Sequence, residues 1–443
     1  MKKKIVIMML LLFSIIGFCS DSARASEMDI LVNKLVEKGI LTPYEGQILT
    51  AQAKEEAAKE LAEGKAITAP EWTQKIKIKG DVRFRTQTDW GKGLGPAHER
   101  IRERVRARLG VEGKVNEQVS AGILAVTGND DPRSTNQTLD NNFETYDFRI
   151  DQYYIHWTPE LTEGVGTGGL WLGKFANPLV TSEILWDGDI CPGGVAAQYM
   201  SPNFNLGEVP TNLYANGAMF WLDEIGTSQR DPLMWVMQGG LKMDVIKDWD
   251  ASLNLATAYY GLANVNGNQS YSYNYSAGTN TLWGGALGNT YRWDFHMFDL
   301  IFNYDSKRIF DLELGNGLYG DFIWNAGAPK NDFAWQLGGY IGTKKPKNPG
   351  DWKLWAEYRY IQRDAVPDFL PDSDFYGFTP QGAPRAGGTG GQGINCGVDF
   401  AIFKNTVLSA EYYWMEPISI NKGLTNDYDE PYQLLQLDIK TKF

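Results

Sequence analysis

A chain of 443 residues with 54 acidic and 42 basic side chains has a formal net charge of −12, a balance that argues against nucleic acid as a partner. Its three cysteines, one of them inside an N-terminal apolar run, are too few for a disulfide framework and form no Cys-x-x-Cys pair. Beyond that run no stretch reaches the roughly 18 apolar residues of a membrane-spanning helix. Gly (48), Tyr (22), Phe (20) and Trp (15) are plentiful, which leaves a soluble β-protein or a β-barrel with glycine turns and aromatic girdles.

Residues 1–25 read as a secretory signal. Lys2, Lys3 and Lys4 precede the apolar run Ile5 to Cys19, and Ala23-Arg24-Ala25 supplies a small-residue cleavage site. A lipid anchor at Cys19 is the rival reading, and the bulky Phe18 before it counts against that. In the mature chain Cys191 and Cys396 remain, either as one disulfide or as two isolated thiols.

Residues 26–70 differ from everything that follows, being rich in Ala, Glu, Lys and Leu. Ile30, Leu31, Lys34, Leu35 and Lys38 fall at helical spacing; Gly39 ends that helix, and Thr42-Pro43 opens a second one as N-cap and first-turn proline. The second helix is expected to run to about Gly64. The segment Leu35-Val36-Glu37-Lys38-Gly39-Ile40-Leu41-Thr42 resembles the short SHOCT-like helical hairpins attached to envelope proteins. It is either an oligomerisation or cell-wall-contacting element in the periplasm or a solvated spacer, with a linker near Pro70.

From residue 71 to the end the pattern is strands and turns. Ile76, Ile78, Val82 and Phe84 lie on one face of the first strand, with Lys77, Lys79, Asp81, Arg83 and Arg85 on the other. Further strands are expected at 99–112, 118–128, 146–158, 168–177, 194–201, 212–223, 233–246 and 249–262. The remainder fall at 292–304, 309–324, 332–344, 351–363, 393–403, 406–416 and 431–443. The total of about sixteen is even, which puts both ends of the barrel on one side. Long connections (88–98, 129–145, 178–193, 263–291, 364–392) alternate with short ones such as Lys247-Asp248 and Lys404-Asn405, the pattern of a transmembrane antiparallel up-and-down β-barrel. The last strand alternates as well: Phe443, Thr441, Ile439, Leu437 and Leu435 share one face, and it ends in an aromatic residue. It resembles the signal by which bacterial outer-membrane barrels are inserted, and closure requires it to pair with the first strand.

The second strand places Arg100, Arg102, Arg104, Arg106 and Arg108 on one face, beside the basic face of the first. Facing lipid, each would cost about 2–4 kcal/mol at the midplane, so the ladder must face water. Lys77, Lys79, Arg83, Arg85, Arg102, Arg104, Arg106 and Arg108 are the expected pore wall, which would attract anions and set a transverse field. Glu103 alone falls on the apolar face.

The loop after the fifth strand reads Gly173-Lys174-Phe175-Ala176-Asn177-Pro178, then Glu183-Ile184-Leu185-Trp186-Asp187-Gly188-Asp189. It resembles the in-folded third loop of bacterial porins. The segment Thr127 to Leu139 is similar to one in the "putative porin" family, and with the helical leader, arginine strands and Phe443 the resemblance spans nearly the whole mature chain. It implies a homotrimeric water-filled channel in the bacterial outer membrane whose constriction-loop acids, Glu183, Asp187 and Asp189, oppose the wall arginines. The same acids, with Asp130 and Asp131, are open to turn chemistry or calcium binding.

Catalytic patterns are missing. None of His98, His156 and His296 is followed at the second position by Ser, as barrel phospholipases require, and there is no Asp-His dipeptide, phosphate loop, zinc motif or haem attachment. No enzyme activity, cofactor or metal is therefore expected. The sequence predicts an outer-membrane channel for passive diffusion of small hydrophilic solutes and ions with an anion preference. The alternative is an outer-membrane tether whose residues 26–70 contact peptidoglycan.

Overall fold

The computed structural model describes residues 75–91, 99–226, 230–268, 278–283, 290–418 and 431–443, with isolated positions between 38 and 48. The chain divides into two units, Met1–Gln74 and Lys75–Phe443. In the first, Thr42 and Glu45 form a reciprocal capping box: the Glu45 amide donates to Thr42 Oγ1 (3.2 Å), and the Thr42 amide donates to Glu45 Oε2 (2.8 Å). Thr42 is thus the N-cap expected of it. The expected signal (1–25), the helix over 28–38, the rest of the second helix and the linker lie outside the described residues.

The second unit is a closed antiparallel barrel. One sheet contains eighteen strands, of which Gln137–Thr138 and Phe204–Leu206 are short flaps, leaving sixteen in the wall. These are β1 (Ile76–Trp90), β2 (Glu99–Lys114), β3 (Val119–Val126), β4 (Arg149–Trp157), β5 (Thr167–Lys174), β6 (Gly193–Met200), β7 (Val209–Trp221) and β8 (Leu233–Ile246). They continue as β9 (Ala251–Ala263), β10 (His296–Ser306), β11 (Asn316–Asn325), β12 (Phe333–Gly342), β13 (Trp352–Ile361), β14 (Gly391–Phe403), β15 (Thr406–Pro417) and β16 (Tyr432–Lys442). All sixteen expected strands are present, each pairing with its sequence neighbour, and β16 closes the ring on β1 with Arg83 opposite Lys440. The expected strand 309–324 begins late, because Ile309 and Leu312 bridge in a tight turn that holds Phe310 at φ 51°.

Alternation decides which side chains meet lipid. On β1, Val82 and Phe84 are exposed while Arg83 and Arg85 point inward and are buried; on β16, Leu437 and Ile439 are exposed while Gln436 is buried. Exposed aromatics collect at both ends of the wall: Trp221, Trp235, Phe298 and Trp324 near the long loops, and Trp157, Trp352, Phe403 and Phe443 near the short turns. Leu255, Leu300, Leu318, Leu337 and Leu354 lie exposed between them. An apolar band between two aromatic girdles is the surface that a bilayer selects. Glu103 does face outward, where it accepts a hydrogen bond from Thr86 across the strand pair (2.8 Å).

The lumen is lined unevenly. The inner faces of β6 to β12 supply Ala196, Phe220, Met234, Val236, Tyr260, Met297 and Ile323 to a buried apolar cluster. Loop 175–192 packs onto it with Phe175, Ile184, Leu185 and Trp186, and loop 362–390 adds Val366, Leu370, Phe375 and Phe378. The core of this barrel is therefore the contact between in-folded loops and the wall, and it reaches Tyr413 and Met415 of β15 and Tyr432 and Leu434 of β16. β1, β2 and the rest of β16 carry the charge.

Candidate functional site: a charged lumen

Arginines on the inner faces of β1 and β2 meet acids on the same faces, because both strands alternate in phase. Asp81 accepts from Arg106 Nη2 (2.8 Å) and Arg108 Nε (2.7 Å), and Asp89 accepts from Arg102 (3.0 Å). Arg85 grips Asp438 of β16 with two parallel bonds (2.7 and 2.8 Å), and Arg83 lies 3.5 Å from the same carboxylate. Arg104 bonds to the neutral groups of Gln87 (3.1 Å) and Ser134 (3.3 Å). The arginines thus share one inner face, where Asp81, Asp89 and Asp438 neutralise much of their charge. Lys77 and Lys79 share its face at the short-turn rim, where both are exposed and Lys79 reaches Glu112 (3.4 Å).

The three acids of loop 175–192 go to three different places. Asp189 lies 3.5 Å from Arg108 and accepts from the Thr135 amide (3.3 Å), so it alone of the three ion-pairs with the ladder. Glu183 bonds to Arg359 on β13 instead. Asp187 is buried and accepts from the amides of Asp189 and Ser373 (both 2.8 Å), which makes it a turn-former that clasps loop 362–390. Burial, with Asp372 close by, raises the Asp187 carboxyl well above the ordinary carboxylate range despite those two amide bonds. Asp130 and Asp131 pair with Arg149 and Arg133.

Several charged residues of the site went unrecognised in the sequence. Arg359, 1% exposed, bonds to Glu183, to Glu357 (2.6 Å) and to Asp372 of loop 362–390 (2.7 Å), and stacks over the Phe375 ring. Asp374 of the same loop reaches Arg85 (3.0 Å). Burial alone would push the Asp374 carboxyl up, but Arg85, Gln436 and the neighbouring arginines outweigh it and hold it below the ordinary range. The signal was present: Val366, Leu370, Phe375 and Phe378 are apolar residues in the same loop as Asp364, Asp368, Asp372 and Asp374. Loop 127–148 joins in through Arg133, whose guanidinium donates to the carbonyls of Asp368 and Ala386 (both 3.4 Å).

Between the basic wall and loop 175–192 lies a cavity of about 410 Å³. Arg83, Arg85 and Lys440 border it on one side, and Glu183, Glu357 and Glu411 on another. Cys191 and Cys396 are both free thiols. His156 stacks on Trp171 (3.8 Å between centroids) and His296 bonds to the Tyr259 hydroxyl (2.7 Å).

A lipid-belted barrel with a charged lumen and in-folded loops defines a β-barrel channel of the outer-membrane type. The chain belongs to the family described as "Putative porin", which matches residues 93–284 and 298–443. Among solved structures it is similar to OprB of Pseudomonas putida at high pH, with 11% identity and a TM-score of 0.51 over 84% of this chain and 95% of that one. It is also similar to a mutant of Rh. blastica porin, with 12% identity and a TM-score of 0.43 over 83% of this chain and 100% of that one. No curated protein matches the chain. Family and fold point to a channel rather than an enzyme.

Proposed function

We propose that the protein is a passive porin of the bacterial outer membrane that passes small hydrophilic solutes and ions, assembled as a homotrimer. The observation that carries this reading is the charged cavity of about 410 Å³ inside a closed barrel. Water-filled lumens lined by rings of charge filter ions by electrostatics while leaving diffusion passive. The pore wall is Arg83, Arg85, Arg102, Arg104, Arg106 and Arg108, with Lys77 and Lys79 at the rim. Asp189 and Glu183 border the constriction and Asp187 fixes the loop that bears them.

A preference for anions rests on the excess of cations over acids on β1, β2 and β16. It is weak, because Asp81, Asp89 and Asp438 already hold most of the arginines. Arg83 and Arg104 contribute most to it, being least tightly paired. Purified protein in a planar bilayer under a potassium chloride gradient is expected to conduct with a reversal potential on the anion-selective side. Arg104→Gln should move that potential toward zero. Absence of conductance rejects the porin, and conductance with an unmoved potential rejects the filtering role of Arg104.

The tether alternative draws on the capping box at Thr42, which starts a helix within residues 26–70. It requires that segment, isolated, to bind peptidoglycan.

A further inference from the structure

We propose that the barrel wall holds a calcium ion among Tyr260, Asp299, Asp321 and Gln336, and that the ion fastens loop 175–192 to the wall. The inference goes beyond the channel reading, and its test does not depend on what the pore passes.

The four side chains form one diagonal row on the inner face. Tyr260 of β9 pairs with Met297, two residues before Asp299 on β10. Asp299 pairs with Ile323, two residues after Asp321 on β11, and Asp321 pairs with Gln336 of β12. Diagonal neighbours in an antiparallel sheet lie about 7–8 Å apart, near enough for side chains to converge. The carboxyls of Asp299 and Asp321 do so, coming within hydrogen-bonding reach of each other. All four residues are buried, from 0% exposure at Tyr260 to 7% at Gln336.

Apart from that mutual approach, Asp299 Oδ1 and Oδ2, Asp321 Oδ1, Gln336 Oε1 and the Tyr260 hydroxyl find no hydrogen-bond partner among the described residues. Arg359 lies opposite Gln336 on β13, but its three nitrogens turn to Glu357, Asp372 and Glu183 instead. Met297, Ile301 and Ile323, all buried, share the inner faces of β10 and β11 with the two acids. Two carboxylates side by side in such surroundings call for a cation between them.

Oxygen donors select a hard cation. Calcium takes about six to eight oxygens in irregular arrangements, whereas magnesium demands an octahedron and keeps several waters. Five side-chain oxygens from four strands suit calcium, with water completing the shell from the cavity that Gln336 borders. The two carboxylates match its charge. Ser182 connects the site to the loop, because its hydroxyl donates to the other oxygen of Asp321. Nearby Val180 is tied to Gln238 of β8 through its amide (2.9 Å) and its carbonyl (2.7 Å). An ion that fixes Asp321 therefore fixes the loop.

The test titrates the full-length mature protein, stripped with chelator in detergent and then freed of it, with calcium chloride in a calorimeter. One calcium per chain should bind, more tightly than magnesium, and the thermal unfolding midpoint should climb with calcium concentration. Asp299→Asn and Gln336→Met should each weaken that binding about tenfold or more. In chelator both should unfold no more readily than the native chain, because each removes a buried acceptor that lacks a partner. Absence of a stoichiometric calcium site overturns the proposal and leaves Asp299 and Asp321 sharing a proton. Binding unchanged in both variants puts the ion elsewhere and overturns it equally, and tighter binding of magnesium overturns the choice of ion. Amide exchange over 179–186 should slow when calcium is added; no change there rejects the fastening of the loop.

Discussion

At the scale of single residues, Arg359 shows what charge does inside this barrel. It is 1% exposed and shared among Glu183, Glu357 and Asp372, which come from a constriction loop, its own strand and a second loop. A buried ion pair adds little net stability compared with a well-packed apolar replacement of all its members, but removing one partner alone strands the others. Arg359→Met should therefore destabilise the folded barrel by about 3–5 kcal/mol, measured by urea unfolding in detergent. A loss under about 1 kcal/mol would mean that these carboxyls do not depend on Arg359.

At the scale of elements, loops 175–192 and 362–390 behave as one unit. The Asp187 amide donates to the Leu370 carbonyl (2.7 Å), and the Asp372 amide to the Glu183 carbonyl (3.0 Å). Asp187 and Asp372 lie on loops at this junction, and burial raises both carboxyls above the ordinary value. A raised acid favours the docked state fully below its unfolded pKa and loses that contribution as pH climbs through the folded one. Asp374, held low, works the other way: its contribution is kept above the ordinary carboxylate value and lost only in stronger acid. The clasp should accordingly be tightest just above the ordinary carboxylate range and loosen as the pH rises from there. Amide hydrogen exchange over 182–190 and 368–376, corrected for intrinsic rates, would show protection falling across that rise, and Asp187→Asn should flatten the trend. Unchanged protection in the native protein would count against a clasp governed by these carboxyls.

The same two loops mark where the sequence was legible. Strand positions emerged because lipid outside and water inside impose period two, and on β1, β2 and β16 from Leu435 onward the alternation is clean. On β7 to β9 it is blurred: Phe220, Met234, Val236, Tyr260 and Leu262 are apolar on the inner face because a loop packs over them. Arg359 and Asp372 carry no local pattern at all. Their roles come from β13 meeting two loops in space, and no spacing along the chain encodes that meeting.

At the scale of the whole molecule, everything depends on the ring closing between β16 and β1. The seam ends with the Gly80 amide donating to the Phe443 carbonyl and the Phe443 amide donating to the Gly80 carbonyl, both 3.0 Å. The Phe443 ring lies over Gly80: a Cβ there would sit 2.5 Å from the ring and 2.5 Å from the Arg108 carbonyl oxygen. The glycine is thus what lets the terminal aromatic fold down onto the lipid face of the seam, covering backbone that a side chain would otherwise hold apart. Gly80→Ala should cost about 1–3 kcal/mol through that overlap and slow refolding into detergent, because closure is the last step that removes the two free sheet edges. Gly113, on the adjoining β2, has nothing within 4 Å of a Cβ. Gly113→Ala serves as the matched control and should refold like the native chain. If both variants fold alike, the aromatic seat over Gly80 plays no part in closure, and ladder hydrogen bonds alone must hold the seam.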